Sequence, residues 1–358
     1  MYLTEDSALP YLLQRGIISA RDLVRGDIFV SPSDLKRPVF RVSRPDGSGF
    51  IVKQPSPLDK AHVRMLDREA AFFDLVRTEP WARQIRPLVP RVRAYDRGVH
   101  VLVVEQVPHD TAWNHLRLAA ANPVLLGKIL GRAIARTHVR LPAKGAASRF
   151  LSTKLPWVLE LNSKAPEQIH EPGTRAVLEL MRENFVFSRA LLDIERDFRA
   201  ETLIHGDAKL DNVLFRAEPR PRAWLIDWAF SGVGDPAWDV GSMIQSALLL
   251  WFLGVPLRRD EPFEHGVGRA TFPFSLVTQY ATMFVRTYLD VRALAARERR
   301  WFVRRCARFA GAALAQSALA DSRSHPHFTT RQLAMLQMSS RMLEHPEEAA
   351  AELLGDPE

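Results

Sequence analysis

The segment 205–212 combines residue types and a spacing that suit the transfer of a phosphoryl group to a hydroxyl. Asp207 and Asn212 are separated by four residues in a polar stretch between two apolar ones. Such a transfer needs a carboxylate that orients the acceptor and takes its proton, and oxygen ligands for the metal ion on the nucleotide phosphates. An aspartate and an asparagine on one tight loop meet both needs. Lys209 adds a cation that can reach the charge on the transferring group.

A further carboxylate, Asp227, follows the apolar stretch 223–226, so we expect it at the end of a short strand. Mg²⁺ prefers hard oxygen ligands and usually takes one or two carboxylates together with phosphate oxygens. Asp227 and Asn212 meet that requirement, and they are our candidate Mg²⁺ ligands.

Three polar residues around these candidates are interpreted as structural supports: His205, Asp235 and Asp239. Asp235 and Asp239 flank the predicted start of the next helix, and His205 directly precedes Gly206 and Asp207. We expect them to support the loop by hydrogen bonds rather than to take part in chemistry. His138, at the end of a predicted helix, is interpreted as a capping cation.

The patterns H-G-D-x-x-x-x-N, I-D-W and G-D-P-x-x-D, at their separations within 205–239, resemble the motifs of the aminoglycoside phosphotransferase and choline kinase-like family. That family is related in fold to the protein kinases. The resemblance implies Asp207 as the catalytic base, Asn212 and Asp227 as Mg²⁺ ligands, and ATP or GTP as the phosphate donor. A weaker similarity in the order of the elements extends over residues 20–320.

The resemblance also implies a lysine that binds the donor phosphates and a helix glutamate that pairs with it. Lys53, at the end of the predicted third strand, is the candidate lysine, and Glu69 is the candidate acid. The alternatives are that Lys53 is an exposed strand end and that Asp67 is the acid. Glu105 and Val107 belong to a segment that resembles the connection between the lobes, whose backbone binds the adenine edge.

The elements that must position these residues follow the order strand, strand, helix, strand, strand. This order is predicted by short apolar runs around Gly-containing turns and by one amphipathic stretch. The predicted strands are Val39–Val42, Phe50–Lys53, Val92–Tyr95 and His100–Val107, and the predicted helix is Asp67–Val76. No glycine-rich phosphate loop lies between residues 27 and 53, so the cover of the donor phosphates is unassigned.

The predicted fold class is α+β, a protein kinase-like fold of two lobes with a nucleotide between them. Residues 1–26 form an N-terminal helical extension, and residues 27–107 form a small, β-rich, nucleotide-binding lobe. Residues 108–345 form a larger, mainly helical lobe for catalysis and acceptor binding, in which 123–139 and 175–192 are each predicted as one helix. Residues 346–358 form an acidic tail that we expect to be loosely held.

Composition limits the class of protein. Hydrophobic residues make up 47% and charged residues 25% of the 358 residues, an ordinary globular balance. The longest apolar stretch is too short to span a membrane, and the N-terminus has no signal-peptide pattern. Cys306 is the single cysteine, so no internal disulfide forms, and we expect a cytoplasmic protein. The net charge of +8 favours anionic partners, but no nucleic-acid-binding pattern is present.

The acceptor is left open between three hypotheses. The first is a small molecule with a hydroxyl, such as an antibiotic, a sugar, an alcohol or a metabolite. The second is a Ser or Thr of a precursor peptide, and the third is a catalytically silent nucleotide-binding partner protein. The stretches 141–172 and 256–268 are the expected acceptor region. In the second stretch Asp260, Glu261 and Glu264 suit a cationic acceptor and Arg258 and Arg259 an acidic one, unless the stretch is only a surface loop.

Overall fold

The computed structural model describes residues 2–34, 39–118, 122–142, 145, 155–162, 171–258, 261–323 and 328–355. The chain divides into two compact units. The first unit contains Met1–Asp110, Leu214–Arg216 and Trp224–Ser231. The second unit contains Thr111–Val213, Ala217–Ala223 and Gly232–Glu358.

The first unit is built on a five-stranded antiparallel sheet. Its strands, in chain order, are β1 (Phe29–Asp34), β2 (Val39–Ser43), β3 (Gly49–Lys53), β4 (Val92–Asp96) and β5 (Val101–Glu105). They are arranged in the order β1-β2-β3-β5-β4. The four predicted strands are confirmed as β2 to β5. Lys53 pairs with Val39 on one side and with Leu102 on the other, so the end of β3 is fixed between two strands.

Three helices accompany the sheet: α1 (Glu5–Gln14), α2 (Ala20–Val24) and α3 (Lys60–Thr78). The N-cap side chains of Thr4 and Ser19 accept hydrogen bonds from the first turns of α1 and α2. The helix predicted at 67–76 is longer than expected because Asp59 caps its start and accepts from the His62 N–H. Its buried face includes Glu69 and Phe72.

The second unit is mainly helical. Its helices are α4 (Ala112–Arg117), α5 (Pro123–Thr137), α6 (Trp157–Asn162), α7 (Pro172–Glu183), α8 (Phe185–Arg196), α9 (Pro236–Gly254), α10 (Phe263–Val267), α11 (Phe274–Arg292), α12 (Ala296–Ser322), α13 (Thr330–Glu344) and α14 (Pro346–Leu354). The short strands of this unit are β6 (Thr202–Ile204) and β9 (Gly232–Gly234), which pair with each other. Two further short strands, β7 (Val213–Arg216) and β8 (Arg222–Leu225), also pair with each other, and most of their residues belong to the first unit. A small antiparallel sheet and a larger helical part confirm the predicted α+β class.

Two expectations about helices in this unit are wrong. The stretch 175–192 is not one helix, because Asn184 ends α7 and its side chain caps α8 by accepting from the Phe187 N–H. The acidic tail is not loose over Pro346–Leu354. There, α14 buries Ala349, Ala350, Leu353 and Leu354 and packs on α11 and α12.

Glycines allow two pairs of helices in this unit to pack closely. A Cβ on Gly127 or Gly131 of α5 would lie 2.5 Å from the Tyr280 carbonyl oxygen or 2.3 Å from that of Phe284, both on α11. A Cβ on Gly241 of α9 would lie 2.7 Å from the Ala310 nitrogen of α12. These approaches bring the end of α5 and the start of α9 against C-terminal helices. None of the helices in the described ranges has the length and apolar character needed to cross a membrane.

Candidate active site

In the first unit Lys53 forms a charged cluster with two carboxylates, those of Glu69 and Asp227. The Lys53 Nζ atom lies 2.8 and 3.0 Å from the two carboxylate oxygens of Glu69 and 3.5 Å from Oδ1 of Asp227. Burial alone would lower the pKa of Lys53, but the carboxylates of Glu69 and Asp227 outweigh it and raise this pKa. The ammonium therefore stays charged at neutral pH. The alternative acid, Asp67, instead accepts a hydrogen bond from Tyr95.

Helix α3 is held against the segment that contains Asp227. The rings of Phe72 and Trp228 stack with centroids 4.1 Å apart, and Arg68 Nε donates to the Ser231 carbonyl oxygen at 2.6 Å. Asp227 itself adopts a left-handed backbone conformation with φ of 65°, which is uncommon for a residue other than glycine. Both contacts follow Asp227 in the chain, and they hold the segment that places its carboxylate beside Lys53.

The segment that follows β5 contains the predicted adenine-binding backbone. The Glu105 N–H donates to the Arg91 carbonyl at 2.8 Å, and the Glu105 side chain forms an ion pair with Arg93. The Val107 carbonyl accepts from the His109 N–H at 2.8 Å. No hydrogen bond of the Val107 N–H is found within the residues that the structure describes. Val107 therefore presents a donor, whereas the N–H of Glu105 is already used by the sheet.

The second unit contains the loop with Asp207. The Oδ2 atom of Asp207 accepts from Lys209 Nζ at 2.8 Å and from Asn212 Nδ2 at 2.9 Å. In the described ranges no hydrogen bond reaches the other carboxylate oxygen, Oδ1, and the side chain is 28% exposed. One oxygen of Asp207 is thus fixed by the loop while the other is available to a ligand. Gly206 before it has φ of 80°, a conformation that glycine adopts without strain.

A buried carboxylate, Asp239, supports this loop from beneath. It accepts from the His205 N–H at 2.6 Å, the Gly206 N–H at 3.0 Å and the His138 Nε2 at 3.1 Å. Burial would raise the pKa of Asp239, but the hydrogen bond and charge of His138, together with His205, lower this pKa below its ordinary value. Asp239 is therefore ionised in the folded protein and fixes the backbone that precedes Asp207.

His138 lies at the C-cap position of α5, as predicted, but its side chain does not cap the helix. Its ring is fully buried, with Nδ1 at 2.8 Å from the Tyr288 hydroxyl and Nε2 facing Asp239. Because a carboxylate only accepts, Nε2 carries a proton. Sequence reasoning missed Tyr288, which α11 places there through its close packing on α5. The pair of glycines four residues apart in α5 was the available signal for that packing.

Asp235 supports a different part of the same unit. It caps α9 by accepting from the Ala237 N–H, and it accepts from the Arg199 N–H, both at 3.0 Å. Its carboxylate also forms a buried ion pair with Arg305 of α12, a residue that sequence reasoning did not single out. Burial raises the pKa of Asp235, although Arg305 opposes that shift. Asp235 thus stabilises the start of the helix that carries Asp239.

The candidate metal ligands have suitable donor atoms. Asn212 uses its amide nitrogen toward Asp207, so the amide oxygen is the atom that would bind a metal. The Asp227 side chain is 34% exposed, which leaves its carboxylate accessible. These oxygen donors fit Mg²⁺, which takes few protein ligands besides phosphates. In the described part of the chain no three His, Cys, Asp or Glu side chains form a metal cluster of their own.

The predicted acceptor loop is held together by one of its own acids. Glu261 accepts from the Arg269 guanidinium at 2.6 Å and from the Arg258 N–H at 2.9 Å. These two hydrogen bonds, that of Arg269 first, lower the pKa of Glu261. Glu264 and the Arg258 side chain are exposed, whereas Arg259 and Asp260 lie outside the described residues, as does most of 141–172.

The comparison with protein families gives one match. The model of the phosphotransferase enzyme family (APH) matches residues 31–274, more than half of the chain. The chain belongs to this family. This confirms the resemblance that the motifs indicated, and the chain is therefore a phosphotransferase. A comparison with curated proteins gives no match.

Solved structures of kinase-like phosphotransferases share the fold of this APH-family chain. The Plasmodium vivax ethanolamine kinase aligns with a TM-score of 0.58 at 11% identity, covering 96% of this chain and 89% of that one. The GDP complex of aminoglycoside 2'-phosphotransferase-IIIa aligns with a TM-score of 0.58 at 14% identity, covering 98% and 99%. The streptomycin–ATP complex of APH(2")-IIa aligns with a TM-score of 0.54 at 13% identity, covering 96% and 99%. At these identities the likeness concerns the fold alone.

Proposed function

We propose that this APH-family enzyme transfers the γ-phosphoryl group of ATP, with Mg²⁺, to a hydroxyl of a small molecule. The observation that carries the proposal is the state of Asp207. One carboxylate oxygen is fixed by Lys209 and Asn212, and the other is open to an acceptor. A fixed carboxylate with one open oxygen is what a base for a substrate hydroxyl requires.

In the proposed reaction each unit has a separate task. Lys53 of the first unit binds the donor phosphates, and Glu69 keeps the ammonium in place. The Val107 N–H is the donor for the adenine edge. In the second unit Asp207 Oδ1 accepts the acceptor proton as the hydroxyl oxygen attacks the γ-phosphorus and the bond to the β-phosphate oxygen breaks. Lys209 shares its charge between Asp207 and the transferring group.

Asn212 and Asp227 are the residues that would hold the metal ion through oxygen atoms. When bound, Mg²⁺ offsets the negative charge of the phosphate oxygens. Asp227 also lies 3.5 Å from Lys53, so the same carboxylate contributes to the position of the ammonium. His205, Asp235 and Asp239 take no part in proton transfer under this proposal, because they are buried and occupied by backbone and side-chain donors.

Proteins of similar fold and the loop 256–268 both bear on the proposed acceptor class. The solved structures named above are an ethanolamine kinase and two aminoglycoside phosphotransferases, one of them with streptomycin bound. Ethanolamine is a small amino alcohol, and aminoglycosides are amino sugars. No peptide acceptor appears among them. In this chain Glu261 is occupied by Arg269 and Arg258, so it does not provide a carboxylate for a cationic acceptor in the way its sequence position indicated.

The test is a phosphorylation assay with the full chain, MgCl₂ and either ATP or GTP. The acceptors are ethanolamine, streptomycin and kanamycin, together with neutral sugars and alcohols. The expected result is an acceptor that gains the mass of one phosphoryl group, with equimolar ADP or GDP. Protein that binds no nucleotide, or that binds ATP but phosphorylates no small hydroxyl compound in a broad panel, would contradict the proposal.

A further inference from the structure

The sheet of the first unit is covered on two faces, and one cover comes from residues before the family match. Side chains alternate along a strand, so Lys53 and Val52 of β3 lie on opposite faces. Lys53 meets Glu69 of α3 on one face. On the other face, apolar residues of β2, β3 and β5 form one buried cluster with four residues of the N-terminal segment, namely Leu3, Tyr11, Leu12 and Ile18.

This N-terminal cover is tightly packed. Leu3 and Leu12 are 1% and 0% exposed, and Val52 and Val103 beneath them are fully buried. The family match begins at residue 31, so the segment 2–18 lies outside the residues that the family model matches. The strands beneath it are apolar on that face, and the segment removes this surface from water.

Gln54 links the same segment to the end of β3, directly after Lys53. Its side chain is 2% exposed, with Oε1 accepting from the Leu3 N–H at 2.7 Å. Its Nε2 donates to the Val99 carbonyl, in the turn between β4 and β5, at 2.9 Å. One buried amide thus joins the N-terminal segment, the lysine strand and the neighbouring turn. Without this amide, the Leu3 N–H and the Val99 carbonyl would be buried and unpaired. Leaving such groups unpaired is costly, so we expect the local backbone to shift.

We propose that Gln54 is a positioning residue for Lys53, and that the segment 2–18 belongs to the donor-binding machinery through it. This inference rests on the proposed function, because it assigns Lys53 to the donor phosphates. Lys53 is the last residue of β3, and Gln54 is fixed directly after it by its bonds to Leu3 and Val99, before the chain leaves the sheet. Release of that point lets the lysine shift relative to Glu69, and small displacements at a charged site weaken ligand binding strongly.

The experiment is calorimetric titration of ATP, with MgCl₂, into the wild type and four variants of the full chain. Gln54→Leu keeps the volume and removes both hydrogen bonds. Tyr11→Phe is the matched control, since it removes a hydrogen bond from the same segment to Asp96 but keeps the buried ring. Lys53→Ala reports whether the lysine binds the donor. Each Kd is measured well below the Tm of the variant concerned.

The expected result is a Kd for ATP that rises about tenfold in Gln54→Leu and stays within about twofold of wild type in Tyr11→Phe. Gln54→Glu keeps the acceptor for the Leu3 N–H and should recover part of the affinity. A merely structural role would lower the Tm of Gln54→Leu and leave its Kd unchanged, and that result overturns the inference alone. If wild type binds no ATP, or if Lys53→Ala binds it as well as wild type, the donor role of Lys53 and the inference fall together.

Discussion

The two units position their reactive groups in different ways. In the first unit the charged groups contact one another directly, since Lys53 lies between Glu69 and Asp227. In the second unit Asp207 is partly exposed, and its loop is fixed by Asp239, which is fully buried and accepts hydrogen bonds from backbone N–H groups and from buried His138. In the first unit, therefore, the charges to which we assign a function are also structural, whereas in the second unit the proposed catalytic group and its support are different residues.

Substitutions in the two units should differ in whether they lower activity and stability together or activity alone. Removing a charge in the Lys53 cluster leaves Glu69, 3% exposed, without its partner, so folding and binding should suffer together. Removing the charge of Asp207 leaves a partly exposed loop that is still supported from beneath. A substitution of Asp207 should therefore lower activity with little change in stability.

Asp207→Asn is expected to have the largest effect. Turnover should fall by at least ~10²-fold because the base that accepts the hydroxyl proton is lost. The free energy of unfolding should change by less than about 1 kcal/mol, because the side chain is partly exposed and still able to accept from Lys209. Initial rates and urea unfolding on the same preparation measure both quantities. A variant that keeps the wild-type rate would show that Asp207 is not the base.

Asp239→Asn is expected to act in the opposite way, on stability first. The amide keeps only one acceptor atom where the carboxylate serves three donors, so the free energy of unfolding should fall by ~2–4 kcal/mol. Asp197→Asn is the control in the same unit, since its side chain is 59% exposed and should cost less than about 1 kcal/mol. Equal losses of unfolding free energy in the two variants would show that Asp239 is not a special support of the loop.

Lys53→Ala should combine the two effects at a smaller size. The KM for ATP should rise about tenfold, and the free energy of unfolding should fall by ~1–3 kcal/mol because Glu69 is left buried without its cation. Steady-state kinetics at varied ATP, together with urea unfolding, measure this. A rise in KM with unchanged stability would mean that the cluster in the first unit is not structural, and the contrast between the units would fail.

The smallest expected effect is a dependence on pH. The pKa of Asp239 in the folded protein is lowered below its ordinary value of 3.8, so its ionised form stabilises the fold above that pH. This contribution is lost as the pH falls through the lowered pKa. The difference in unfolding free energy between wild type and Asp239→Asn should therefore shrink as the pH is lowered from 6 toward 3. A difference that stays constant over this range would contradict the assignment of an ionised Asp239.

Much of the fold and of the chemistry-bearing set could be predicted because the signals are local. The eight-residue pattern around Asp207 and the strand ending at Lys53 are visible in short windows, and alternation of apolar residues indicated the strands of the sheet. The same periodicity predicted a helix in the N-terminal segment. It did not indicate that this helix packs on the sheet, since a pattern defines an apolar face but not its partner.

The supports of the loop could not be predicted because their partners are far away in sequence. His138 lies 150 residues from Tyr288 and 101 from Asp239, and at a helix end its position favoured a cap. Gln54 follows a charged strand end and precedes a proline, which is typical of an exposed loop residue. Its burial depends on Leu3, 51 residues earlier. Tertiary packing decided these positions, against their local context.

The central claim is that donor binding and proton transfer depend on different residues, Lys53 and Asp207. The most direct measurement is the Kd of ATP, titrated with MgCl₂ into Asp207→Asn and compared with wild type. We expect a Kd within about twofold of wild type in a variant whose turnover has fallen by at least ~10²-fold. A loss of ATP affinity that matches the loss of turnover would contradict the account, because Asp207 would then act by binding the donor rather than on the acceptor hydroxyl.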